Sequence, residues 1–187
     1  LHALATVADG KPKTSVALLA AAFSFKLQTI FLIPLWGALW LARRIKFSQL
    51  LVFFPAYLAA ILPALLLGKP LADILGVYFK QAGEYNHALV FNAPSVFALL
   101  PYGWSGEQAL PAALGILAAF GVCLLVLGWM FFHWDQPGGG KLMPAAAVLA
   151  LGVPFFLPYM HERYFFLADA VTLVWAVRER RARLIAL

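Results

Sequence analysis

The chain has 187 residues, 64% of them hydrophobic and 12% charged, with a formal net charge of +6. Water-soluble domains run nearer to about 45–50% apolar and about 25% charged, so a chain of this size cannot bury so much apolar surface in one aqueous core. The composition predicts a polytopic membrane protein, an all-α transmembrane bundle.

The basic excess lies beside apolar runs, where it sets orientation in a bilayer, so nucleic acid is not an expected partner. One cysteine, Cys123, rules out an internal disulfide. The chain opens at Leu1 without Met or a signal-peptide pattern, and the expectation is a single membrane domain, 1–187, that forms the C-terminal portion of a longer protein.

In chain order, the first apolar segment covers residues 14–42. Lys26 and Gln28 interrupt it near its middle, and basic residues flank both ends: Lys11 and Lys13 before, Arg43 and Arg44 after. One long span would place a lysine at mid-bilayer, at roughly 2.5–3.5 kcal/mol on insertion scales. A helical hairpin turning at Lys26 avoids that cost. Lys26 then faces the outer side; the alternative is a lysine that snorkels from a lipid-facing helix.

Residues 48–68 (SQLLVFFPAYLAAILPALLLG), 108–132 (QALPAALGILAAFGVCLLVLGWMFF) and 142–160 (LMPAAAVLALGVPFFLPYM) carry no charge. At ~1.5 Å per residue, each matches or approaches the ~30 Å hydrocarbon layer. Pro55, Pro63 and Pro154 are tolerated in such helices.

Between the first two spans lies an outer segment, 69–107. Its start, residues 71–81, places Leu71, Ile74, Leu75, Tyr78 and Phe79 at helical spacing, which predicts an amphipathic helix in the interface. Tyr85, Asn86, His87 and Asn92 follow. They read either as an ordinary solvated loop or as amides and rings that contact a sugar or acceptor.

A last apolar run, 164–177 (YFFLADAVTLVWAV), is short. Its fourteen residues rise only about 21 Å as a helix. With the clusters "ARRIKF", Lys141 and "RERRAR" on the cytoplasmic side, His161, Glu162 and Arg163 fall short of the outer headgroups and must occupy a recess. They read as an interfacial turn anchored to lipid phosphate, or as ligands for a phosphate group: the guanidinium offers a bidentate fork and the imidazole a donor. Asp169 reads as an interior carboxylate paired with Arg163 or Lys26, and His133 and Asp135 as solvated. No zinc-ligand spacing occurs, and no cofactor is expected.

Three stretches carry a resemblance. "PYMHERYFFLADA" resembles the Met-His-Glu-Arg-Tyr segment of bacterial mannosyltransferase-like proteins related to the GPI mannosyltransferase II family. It is similar in turn to the "HVHEK" segment of dolichyl-phosphate-glucose-dependent glucosyltransferases. "AAFSFKLQTIFLIPLW" resembles the upstream Phe-Lys-Gln or Lys-Pro-Gln segment of the same superfamily, and "YNHALVFNAPSVFALL" its outer stretch with an Asn-Ala pair before a Trp or Phe. These are multi-spanning glycosyltransferases of the GT-C fold.

The resemblance implies transfer of a sugar, such as mannose, from a polyprenyl-phosphate donor to an acceptor on the outer or lumenal face. The setting it implies is a bacterial plasma membrane, or the endoplasmic reticulum membrane in a eukaryote. It also implies that His161, Glu162, Arg163, Lys26 and Gln28 lie near the lipid phosphate. The family's catalytic base is an acidic residue in the first outer loop. Nothing here matches that loop, so the base is expected in N-terminal sequence outside this chain, and this portion alone is expected to be inactive. The competing functional reading is a transporter or flippase subunit that binds an anionic lipid or sugar without chemistry.

Overall fold

The computed structural model describes residues 1–84, 88–100, 107–133 and 140–178; the side chains of 78–84 and of 178 are outside the description. It is mostly helical. The elements run α1 (His2–Ala8), α2 (Pro12–Phe25), a 3₁₀ turn (Leu27–Leu32), α3 (Ile33–Leu41), α4 (Phe47–Leu50), α5 (Phe53–Leu66) and α6 (Leu71–Glu84). Strand β1 (Val90–Phe91) and a 3₁₀ turn (Val96–Leu99) precede α7 (Ala109–Phe132) and α8 (Leu142–Phe156). Strand β2 (Met160–His161), a 3₁₀ turn (Glu162–Tyr164) and α9 (Phe166–Arg178) complete the described chain.

The first apolar segment is two helices rather than one. Lys26 is extended (φ −150°, ψ 119°) and closes α2 by donating its N–H to the Ala22 carbonyl. The second leg returns beside the first, because the Trp36 indole N–H on α3 donates to the Ser15 hydroxyl in the first turn of α2, at 3.0 Å. Ser15 passes its own proton to the Ala3 carbonyl of α1, at 2.6 Å. Both side chains are buried, so this chain of bonds satisfies polar groups that would otherwise cost roughly 1–3 kcal/mol each.

Phe47–Leu66 and Ala109–Phe132 are long and apolar enough to cross a membrane. Their apolar faces stay largely uncovered: 11% and 22% of the respective most apolar windows are buried. By contrast α8, only 15 residues long, buries nine of them. Four of those nine are alanines (Ala145, Ala146, Ala147 and Ala150), and small side chains let neighbouring backbones approach closely. The main core accordingly gathers around α8: Leu35 and Leu39 of α3, Met130 of α7, Leu149 of α8 and Val171 of α9 are all essentially inaccessible.

One predicted boundary is corrected. The run 142–160 is not helical to its end: α8 stops at Phe156, and Leu157 is extended (φ −68°, ψ 137°). Leu157 precedes Pro158, whose ring disfavours helical geometry in the residue before it. Tyr159 then takes a left-handed turn (φ 64°) and the chain enters β2.

Candidate functional site at the Lys26 and His161–Arg163 junction

Three segments far apart in sequence meet at one end of α2 and α9. The first is the break after α2. Ser24 bonds back to the Ala21 carbonyl (2.7 Å), a pattern that loosens a helix end, and Lys26 leaves helical geometry. Within the following 3₁₀ turn Gln28 points inward and is 6% exposed. Its amide Nε2 donates to the backbone carbonyl of Arg163 at 3.0 Å, across 135 residues.

The second segment is β1. It pairs in parallel with β2, in the register Val90 with Met160 and Phe91 with His161. Tyr159 adds a 2.7 Å bond from its N–H to the Leu89 carbonyl, and Asn92 bridges to His161. Parallel pairing over two residues is weak by itself. Ring contact reinforces it: His161 stacks on Phe91 with centroids 4.7 Å apart and planes 21° apart. Offset stacking of this kind contributes about 0.5–1.5 kcal/mol beyond area burial.

The third segment is the turn 162–164 and the start of α9. The Lys26 ammonium lies 6.0 Å from the centroid of the Phe166 ring, at the outer limit of cation–π attraction. Phe31 meets Tyr164 edge to face at 6.3 Å. Lys26, Gln28, Asn92, His161 and Arg163 thus belong to one junction.

Other expected site residues behave differently. The carboxylate of Glu162 and the guanidinium of Arg163 are exposed, and the two do not pair with each other or with another described residue. Asp169 is also exposed and forms no ion pair among the described residues, so the expected interior pairing with Arg163 or Lys26 is corrected. The cause is local: residues 162–164 form a 3₁₀ turn and α9 starts only at Phe166, so Asp169 does not continue one α-helical face with Arg163. His133 sits at the opposite end of the molecule, its ring Nδ1 3.1 Å from the Trp129 carbonyl. Tyr85, Asn86, His87 and Asp135 lie outside the described residues. Among the described residues no three His, Cys, Asp or Glu side chains converge as a metal-ligand set.

The junction presents an exposed ammonium, an exposed guanidinium and a half-buried imidazole, with the exposed carboxylate of Glu162 beside them. Such an edge suits an anion. Beside it, on the other side of Lys26, a cleft of 310 Å³ opens between the end of α2, α5 and α6, with Lys69 on its wall. The sequence reading missed both Phe91 as a ring partner of His161 and Lys69 as a neighbour of Lys26. The Lys69 signal was present: like Lys26, it directly follows a long apolar helix.

No protein-family model, no curated protein and no solved structure matches the chain.

Proposed function

We propose that the chain is a portion of a multi-pass membrane glycosyltransferase of the GT-C class. In this reading it works with a polyprenyl-phosphate sugar donor, such as a mannosyl donor, on the outer face of a bacterial plasma membrane or on a lumenal face. Support for the bilayer comes from the two long apolar helices. Phe54, Leu58, Phe120, Leu124 and Leu125 all lie exposed on them. At about 25 cal/mol per Å² of apolar area, a face of this kind in water costs several kcal/mol per helix, a cost that lipid removes.

The observation that carries the functional reading is the 3.0 Å bond from Gln28 to the Arg163 carbonyl. It ties the Lys26 segment to the His161–Arg163 segment, two of the three stretches on which the resemblance rests. Displacement at the anomeric carbon leaves negative charge on the lipid phosphate. Arg163 supplies a bidentate fork, Lys26 a mobile point charge and His161 a ring donor held in place by Phe91.

The experiment is sugar transfer from polyprenyl-phosphate donors by the complete gene product. His161→Ala and Arg163→Ala are each expected to lower the rate by about 100-fold, the scale of losing one preorganised charge-stabilising group. Undiminished transfer in both variants would remove the junction from the mechanism. Donor binding without turnover under any condition would favour the transporter reading.

A further inference from the structure

Lys26 borders two spaces: the junction with Arg163, and the cleft that α2, α5 and α6 enclose. The cleft is 310 Å³, at the lower end of the range for small-ligand sites. Its walls mix apolar side chains (Phe23 of α2, Ile61 of α5, and Ile74 and Val77 of α6) with polar ones: Ser24 and, as the charged wall residues among those described, Lys26 and Lys69. Neither lysine meets a carboxylate among the described residues, and Asp73 of α6 is not part of the lining.

The backbone explains how Lys69 reaches this place. Gly68 takes a left-handed conformation (φ 86°) after α5, and the Lys69 N–H closes back on the Ala64 carbonyl at 3.0 Å. This glycine-dependent helix stop aims the next residue across the helix end. Pro70 then starts α6 at once.

Helix ends add partial charges to the two ammonium groups. The carboxyl ends of α2 and α5 each bring about −0.5 of a charge, and the amino end of α6 about +0.5. Among the described wall residues the two full positive charges outweigh the partial charges of the helix ends, so an anion is favoured.

We infer that this cleft binds the phosphate of a membrane lipid between Lys26 and Lys69, with the first carbons of the lipid chain on Phe23, Ile61 and Ile74. The inference rests on the membrane placement proposed above and is independent of sugar transfer. Lys69 is the new element. It makes the site a two-cation clamp, and the apolar walls select a lipid phosphate over a free phosphate ion.

The test uses the full chain in phosphatidylcholine nanodiscs and titrates in phosphatidic acid, whose headgroup is a phosphate monoester. Lipid adducts are counted by native mass spectrometry. Lys69→Gln and Lys26→Gln are each expected to weaken phosphatidic acid binding five- to tenfold, while Lys69→Arg retains it. Inorganic phosphate alone is expected to show no binding below millimolar concentration.

Three results would overturn the site: equal affinity in Lys69→Gln and wild type, no preference for phosphatidic acid over phosphatidylcholine, or inorganic phosphate binding as tightly as the lipid. Lys69→Gln separates this site from the proposed transfer site, because Lys69 lines the cleft and has no part in the junction. Sugar transfer by the complete gene product is expected to stay within twofold of wild type in Lys69→Gln, and a loss as large as that of Arg163→Ala would merge the two sites and overturn the inference. Selective binding lost in Lys69→Gln supports the cleft even if no sugar transfer is ever detected, an outcome that defeats only the enzymatic reading.

Discussion

At the scale of single residues, the junction depends on a few side chains that replace water for buried groups. Gln28 is the clearest case: its amide serves the Arg163 carbonyl from a buried position. Gln28→Leu keeps the volume but leaves that carbonyl without its donor, at roughly 1–3 kcal/mol. The expected result is a lower thermal unfolding midpoint, together with altered protease sensitivity around residues 160–165; an unchanged midpoint would show that the bond contributes little.

Gly115 of α7 makes a second residue-scale prediction. A Cβ there would meet the Phe156 carbonyl and come within 2.5 Å of Phe97 Cζ, whereas at Gly121 on the same helix it would meet nothing within 4 Å. Gly115→Ala is expected to destabilise by about 1–3 kcal/mol through overpacking. Gly121→Ala is expected to be neutral or to stabilise by up to ~1 kcal/mol through helix propensity. Denaturation of the two variants in matched micelles checks the pair.

At the scale of elements, α7 separates the bilayer reading from an aqueous one. Phe120 lies near the middle of this 24-residue helix and is 62% exposed. In water an exposed lysine there costs little. In a bilayer a mid-helix lysine costs roughly 2.5–3.5 kcal/mol. The proposed membrane placement therefore predicts that Phe120→Lys lowers insertion of α7 more than tenfold in a membrane-integration assay. Full insertion would count against a lipid-facing α7.

Element positions were largely readable from the residues, since uncharged apolar runs and their bounding prolines and charges act locally. The expected 108–132 compares with the observed Ala109–Phe132, and 164–177 with Phe166–Arg178. Residues 71–81 fall within α6, Leu71–Glu84. The β1–β2 pair was not readable. Two residues give no alternation pattern, and their partners are about seventy positions apart, so nothing local marks them as strands. The short α1 and the early end of α8 were missed as well; for α8 the deciding feature was local after all, the bias that Pro158 imposes on Leu157.

At the scale of the whole molecule, the distribution of basic residues predicts which ends share a side. The proposed orientation puts Lys69 outside and Gly140 inside. In a Cys123→Ala background, Lys69→Cys is expected to react with an impermeant maleimide added to intact cells, and Gly140→Cys only after permeabilisation. Labelling of both positions from outside would invert or cancel the proposed orientation.

From the sequence alone came the apolar character of the chain, the placement of most helices and the identity of the charges worth watching, because hydropathy and helix stops depend on near neighbours. Tertiary structure alone decided the company those charges keep. It set Gln28 against the Arg163 backbone, stacked His161 on Phe91, turned Asp169 outward and opened beside Lys26 a cleft that Lys69 shares. Contacts of this kind depend on how separate helices pack in three dimensions, which periodicity along the chain does not encode.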